Sequence, residues 1–510
     1  MTTSAPHAPD PVHHDGGYAR LILSALRRRP DREAFRWTED GRSHTLTYGA
    51  TAERIERIAA VLGRHGPAPE RALALLTGPR PEAFTIMAAA CLAGVRFTAL
   101  HPLGSRENDA YVLRDSGADL LVVDDTRFAD RAAAARAAAT RVVTLSELAD
   151  LAEDIDTTPA AGDRRGPADY LFYTGGTTGE PKGVVLGDRS LTANAWAGTT
   201  WAWPERTTFL VTTPMSHAAG LLIAPGLLRG ATFVIHPGFD PDRVLDAVEH
   251  DGVNATFVVP TMLYTLLDHP RTPTADLSAL AWILYGAAPT SPARLIQARQ
   301  RFGPVLSQHY GQAEAPNALT VLDPDEHHDD PAVLVSCGRP VPGCEIRLLD
   351  HDGNPVPVGE PGEVCVRGPL VMDGYWNKPD QTRAALRDGW LHTGDIARAD
   401  ASGRLTIVDR IKDVVITGGF NVYPREVEDV LSDHPAVAHC AVYGEPDPHW
   451  GEAVVAAVVL HDGHDVSPDE LADHVRRTKG GVWTPKHISV HETLPLTALG
   501  KVDKKALRTR

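Results

Sequence analysis

Between two short apolar runs, Leu171-Phe172 and Val184-Val185-Leu186, the chain carries Tyr173-Thr-Gly-Gly-Thr-Thr-Gly-Glu-Pro-Lys-Gly-Val184. Flanks of that kind predict a loop joining two buried strands. The loop holds four glycines, three threonines and one lysine. Glycines let the backbone turn tightly and bring its N–H groups close to an anion. Thr174, Thr177 and Thr178 add hydroxyl donors, and Lys182 adds a full positive charge. The reading is a loop that cradles nucleotide phosphates, and the alternative is an ordinary Gly/Thr turn. It is not a P-loop NTPase signature, because Gly183 and not Ser or Thr follows Lys182.

Lysine usage singles out the same residue. The chain has eight lysines against 42 arginines, and none precedes Lys182. A flexible point charge, not the planar fork of arginine, has been placed inside the glycine loop. Overall the formal net charge is -16, which argues against a general nucleic-acid or membrane-surface binder. The exception is residues 476–510, with nine basic side chains and only Glu492 and Asp503 acidic. That stretch reads either as a solvated tail or as a platform for an anionic ligand.

At 510 residues the chain is too long for one core, so two or more domains are expected. Residues 1–17, rich in His, Pro and Asp, read as a disordered lead with no signal-peptide core. The five cysteines form no CxxC pair, which suggests free thiols in a reducing compartment. No apolar run approaches a membrane span. A cytoplasmic protein is expected.

Helical and strand patterns alternate through residues 18–125, and the middle of the chain repeats the rhythm. Tyr18–Arg28, Tyr48–Gly63 and residues 130–139 read as helices. Ala72–Thr77, Leu120–Asp124, Phe209–Thr213, Thr232–Ile235, Ala255–Val259 and Trp282–Leu284 read as strands. Alternation of this kind predicts layered α/β architecture with largely parallel sheets. Thr157–Pro167 reads as a linker. From Cys337 to Val366 the pattern becomes β-rich, with Glu345–Leu349 and Gly362–Arg367 flanking a turn at Asp350–Pro355. Leu405–Val408 adds one more strand. An α+β segment of about a hundred residues follows, a size that suits a small domain.

Taken in order, these motifs resemble the acyl-adenylate-forming superfamily, of the acyl-CoA ligase type. The resemblance runs from about Leu46-Thr47-Tyr48 to Lys501. It implies a large N-terminal acyl- and adenylate-binding domain over 18–411, of layered α/β sheets plus a small β unit. It also implies a mobile α+β domain over 412–510, hinged at Lys412. The implied chemistry joins a carboxylate to AMP and then passes the acyl group to a thiol. ATP or acyl-AMP, Mg²⁺ and coenzyme A are the implied ligands.

On this resemblance Thr174, Thr177, Thr178 and Lys182 form the phosphate loop. Gly286, Ala287 and Ala288, from Tyr285-Gly-Ala-Ala-Pro289, together with Tyr310 line the adenine, and Glu314 holds Mg²⁺. Asp395 and Arg410 read the ribose. His217 borders the carboxylate, with Gly220, Thr261, Gly286, Gly311 and Ala313 around the acyl group. Gly418, Gly419 and Phe420 line the pantetheine path. Lys501 bridges the acyl carboxylate and the α-phosphate. Lys501, His217, Thr178 and Glu314 are the implied catalytic set.

The chain departs from the family pattern at Ala313, where a threonine usually stands. Losing one donor to the α-phosphate costs roughly ten- to a thousandfold in adenylation rate. This leaves three readings: a complete ligase, an enzyme that only transfers an acyl group from an adenylate made by a separate partner, or an amino-acid-type adenylation enzyme. Met215-Ser216-His217 disfavours the last, because such enzymes usually place an aspartate there for the substrate ammonium. A non-catalytic adenylate binder is disfavoured by the intact phosphate-handling set.

Overall fold

The structure, a computed structural model, describes residues 17–39, 41–67, 71–138, 140–157, 168–174, 180–495 and 502–508. Most of the expected lead and linker, the tip of the glycine loop and Lys501 lie outside the described residues.

The described residues fall into two compact units, one within 1–174, 182–345 and 367–386, the other within 175–181, 346–366 and 387–510. The position of the expected hinge, Lys412, falls inside the second.

Two sheets build the first unit. The nine-stranded sheet runs, edge to edge, Arg339–Pro340, Ala315–Leu322, Leu306–Gln312, Trp282–Gly286, Ala255–Val258, Thr208–Val211, Thr232–Ile235, Glu33–Glu39, Arg42–Thr47. The seven-stranded sheet runs Gly374–Tyr375, Gly183–Leu186, Tyr170–Tyr173, Arg96–Ala99, Ala72–Leu76, Ala118–Val123, Arg141–Thr144. The inner strands of both are parallel, as the α/β alternation predicts. Both sheets carry antiparallel pairs at an edge; the two strands joined by the glycine loop were expected, and the other antiparallel pairs were not foreseen. The hairpin Glu33–Glu39/Arg42–Thr47 escaped because its outer half is polar and exposed, leaving little apolar alternation to see.

Helices Gly17–Arg27, Tyr48–His65, Pro81–Ala93, Asp188–Gly198 and Ala218–Arg229 pack on one another, and Asp188–Gly198 touches strands of both sheets. Local signals set their ends. Thr47 caps Tyr48–His65 by accepting from the Ala50 N–H, and Gly94, at φ +65°, ends Pro81–Ala93.

The second unit holds two five-stranded sheets. One pairs Gly362–Arg367 with Trp390–Ala399, which in turn pairs with Leu405–Arg410. The other centres on Gly451–Leu460, between Val437–Asp447 and Val415–Thr417, with His487–Val490 added in parallel. Helices Pro424–Ser432 and Pro468–Lys479 contribute Val427, Leu431, Leu471 and Val475 to its core. Among the described residues no helix is long and apolar enough to cross a membrane. All five cysteines are free.

Candidate active site

The glycine loop is a hairpin loop. Tyr170–Tyr173 and Gly183–Leu186 pair antiparallel with Tyr173 opposite Gly183, and the Thr174 N–H donates to the Lys182 carbonyl at 3.0 Å. Thr174 and Lys182 are thereby fixed at the loop's base. Thr177 and Thr178 lie outside the described residues. The Lys182 ammonium sits 4.9 Å from the centre of the Tyr375 ring. The Tyr375 hydroxyl donates to Glu314 Oε1 at 2.8 Å. Burial and the Glu314 carboxylate hold that phenol well above its ordinary pKa, so it stays a donor.

Glu314 reaches this meeting point from the other sheet. Leu306–Gln312 and Ala315–Leu322 form a hairpin whose two-residue tip is Ala313-Glu314. The Met372 N–H donates to the Glu314 carbonyl at 2.8 Å, tying the tip to the segment that leads into Tyr375. The register shifts between Tyr310 and Gln312, and Gly311 occupies the irregularity. A Cβ there would lie 2.7 Å from the Asn317 carbonyl oxygen, so only glycine fits. Gly286 is required for the same reason: a Cβ would lie 2.4 Å from the His309 carbonyl oxygen. Gly286 pairs with His309, which places Gly286-Ala287-Ala288 beside Tyr310 at adjoining strand ends. Ala287 holds a left-handed φ of 66°, a strain that non-glycine residues accept mainly at functional sites.

His217 caps the N-terminus of helix Ala218–Arg229, which follows a loop after the strand Thr208–Val211. Its ring stands edge-on to His101 at 4.8 Å and to Phe172 at 5.4 Å, and Nδ1 lies 3.0 Å from Ser216 Oγ. Burial first, and the neighbouring His101 second, push the His217 imidazole down to about 4. It is therefore neutral at physiological pH. The Gly220 N–H donates to the His217 carbonyl, and a Cβ on Gly220 would strike the Met215 carbonyl oxygen at 1.9 Å. Thr261 is exposed in the first turn of helix Pro260–Asp268.

In the second unit Asp395 is buried and receives the Arg410 Nε at 3.0 Å. Lys412 is exposed in a short 3₁₀ turn, Ile411–Asp413. Gly418 and Gly419, at φ +57° and +83°, form the turn between Val415–Thr417 and Phe420–Val422. Two consecutive left-handed positions explain the glycine pair. Phe420 is exposed beside that turn. Lys501 lies outside the described residues.

Tyr375 and His101 were not expected from the sequence. Tyr375 had a signal, an aromatic pair in Gly374-Tyr375-Trp376 ahead of a proline turn. His101 had none, since a lone histidine beside proline is uninformative.

Residues 23–376 match the model of the AMP-binding enzyme family, and residues 426–501 match the AMP-binding enzyme C-terminal domain. The chain belongs to this family. It is 43% identical to the medium/long-chain-fatty-acid–CoA ligase FadD8 of Mycobacterium tuberculosis, over 98% of this chain and 90% of that one. It is 40% identical to a feruloyl-CoA synthase of Amycolatopsis, over 91% of this chain and 94% of that one. Among solved structures it is similar to the o-succinylbenzoate–CoA synthetase MenE of Bacillus subtilis in complex with ATP and magnesium. That match has a TM-score of 0.81 and 28% identity, covering 96% of this chain and 98% of that one. The chain is an acyl-CoA ligase of the adenylate-forming superfamily, an AMP-forming acid–thiol ligase that uses ATP, Mg²⁺ and CoA. The relatives favour the complete ligase over the transfer-only and amino-acid readings.

The residues present fit these ligands. A carboxylate on a hairpin tip and an ammonium, joined through one tyrosine, match a hard cation and the phosphates it neutralises. A buried carboxylate held by an arginine suits vicinal hydroxyls.

Proposed function

We propose that this chain activates a neutral-tailed, non-amino carboxylic acid and carries out both half-reactions itself. The carrying observation is the setting of His217. What surrounds and shifts it is burial, His101, Phe172 and Ser216, with no carboxylate contributing. Among the described residues an amino acid's ammonium meets no carboxylate partner of His217, whereas an alkyl or aryl acid meets aromatic edges. Relatives named for fatty acids and for feruloyl-CoA agree with this choice.

In this scheme Lys182 and the threonines of its loop hold the phosphates, and Glu314 holds Mg²⁺. The metal, when bound, neutralises charge on the phosphates as the carboxylate attacks. Tyr375 orients Glu314 by donating to one oxygen. Tyr310 and Gly286-Ala287-Ala288 take the adenine, and Asp395 and Arg410 take the ribose. Lys501 assists adenylation, and Gly418-Gly419-Phe420 receive the thiol arm once the segment after Lys412 has pivoted. Five free thiols suit a reducing cell interior.

A second reading rests on Ala313, which brings no hydroxyl to the hairpin tip. In it, a separate enzyme supplies the adenylate. Carboxylate-dependent ATP–pyrophosphate exchange, with alkyl, aryl and amino acids, decides between the two. Exchange by the wild type with alkyl or aryl acids, and none with amino acids, is expected. Exchange seen only in Ala313→Thr would establish the second reading, and exchange best with an amino acid would refute the proposed substrate class.

A further inference from the structure

Asp395 is held in place by a bulge. Glu363 pairs with Ile396 and Cys365 with His392, so two steps on one strand face four on the other. The two extra residues let Thr393-Gly394-Asp395 loop out of the ladder, with Gly394 at φ +71°. Such a bulge needs partners for the backbone groups it frees. Thr393 Oγ1 donates to the Val364 carbonyl at 2.7 Å and accepts from the Asp395 N–H at 3.1 Å. The Gly394 N–H donates to Glu363 Oε1 at 3.2 Å. The other carboxylate oxygen of Glu363 lies 2.7 Å from His392 Nδ1.

Glu363, Cys365 and His392 also have the atom types of a metal site and lie close together. The Arg387 guanidinium, however, stands 2.6 Å from His392 Nδ1 and 3.5 Å from Glu363 Oε2. Arginine already supplies the positive charge that the carboxylate calls for. The cluster is organised around holding the turn.

We infer that Glu363 is a positioning residue for nucleotide binding: its two oxygens clamp Gly394 and His392 on either side of Thr393, and so aim Asp395 at the ribose hydroxyls. The inference rests on the proposed ribose-reading role of Asp395. Oε1 accepts from the Gly394 N–H, while Oε2 faces both His392 Nδ1 and the Arg387 guanidinium, whose charge calls for a carboxylate. Glu363→Gln keeps the volume but removes the charge that faces Arg387 and turns an N–H₂ toward either the Gly394 N–H or the guanidinium.

The test compares acyl-CoA formation with ATP, 2′-deoxy-ATP and 3′-deoxy-ATP for the wild type, Glu363→Gln, Glu363→Asp and Asp395→Asn. Thermal melts report folding alongside. Asp395→Asn is expected to abolish the preference for ATP over the deoxy analogues. Glu363→Gln is expected to raise the KM for ATP about tenfold with kcat nearly unchanged, and to shrink that preference by a similar factor. The KM for the carboxylic acid is expected to stay put. If Glu363→Gln fails to fold, Glu363→Asp, which retracts both acceptors by one methylene, is expected to shift the same KM and preference. An unaltered preference in a folded Glu363 variant, with Asp395→Asn losing it, overturns the positioning role alone. An unaltered preference in Asp395→Asn overturns the ribose reading and the inference together.

Discussion

Glu314 and His309 stand five residues apart on one hairpin, and the fold treats them in opposite ways. Glu314 sits at the tip, half-buried, with Tyr375 donating to it and Lys182 on the far side of the same ring. His309 sits on the stem, 5% exposed, edge-on to Trp201 at 4.7 Å. Among the described residues neither of its ring nitrogens has a hydrogen-bond partner. Burial drives its imidazole down to about 3, and His217 and His327 are likewise pushed to about 4. At the tip of this hairpin the charged group is partnered. On its stem, and at His217 and His327, burial instead holds the imidazole neutral. One hairpin serves both because its tip leaves the ladder while its stem is packed inside the sheet.

The tip should be where function is most fragile. Glu314→Gln keeps the size and can still accept from Tyr375, but removes the charge. ATP–pyrophosphate exchange is expected to fall by about 10²–10³ in kcat, with the melting temperature unchanged. A loss of less than about threefold would take Glu314 out of the metal site and erase the functional half of the contrast.

The stem should be where stability is most sensitive to acid. The folded pKa of His309 is below its unfolded value of about 6.5. Below that pH the unfolded chain takes a proton that the native chain refuses, so native stability falls as pH drops toward about 3. His309→Phe removes the term and fills the same space. Urea unfolding at pH 7.5 should show a variant about 1–3 kcal/mol more stable, since a buried unpartnered polar group is gone. At pH 5 the gap should widen by about 2 kcal/mol. An equal gap at both pH values would mean that His309 is not held neutral, and the contrast would fail on this side.

The two regions were also unequally legible. Motif order alone singled out Glu314, Lys182, Tyr310, Asp395 and the glycine pair 418–419 as candidates, and the structure explains the glycine pair by its two left-handed positions. Gly286 and Gly311 stood out in the same motifs, and at both a neighbouring backbone forbids any Cβ. Parallel inner strands such as Ala72–Leu76 showed as continuous apolar runs. The Glu314–Tyr375–Lys182 link was not legible, because its members are separated by 61 residues or more and meet only through edge strands of two sheets. The neutrality of His217 was hidden too, since it depends on Phe172 and His101 arriving from other elements. Glu363 offered no signal until the bulge opposite it was seen.

The smallest effect tests whether the tip's charges are arranged by Tyr375 or are merely adjacent to it. Tyr375 makes two separable contacts: a hydroxyl bond to Glu314 and a ring face toward Lys182. Tyr375→Phe removes only the first. One hydrogen bond to a charged acceptor across a part-exposed edge is worth about 1 kcal/mol, so roughly a fivefold rise in the Mg²⁺ concentration for half-maximal rate is expected. The KM for ATP should barely move, because the ring still faces the ammonium. Tyr375→Leu removes both contacts. It should add a rise of about two- to fivefold in the KM for ATP to the Mg²⁺ effect. If Phe and Leu raise both constants equally, the hydroxyl carries the whole effect and the ring face adds nothing; if Phe changes neither constant, the hydroxyl is dispensable and Tyr375 acts by packing alone. If Phe shifts only Mg²⁺ and Leu shifts both, one side chain aims a carboxylate at the metal and steadies a lysine for the phosphates.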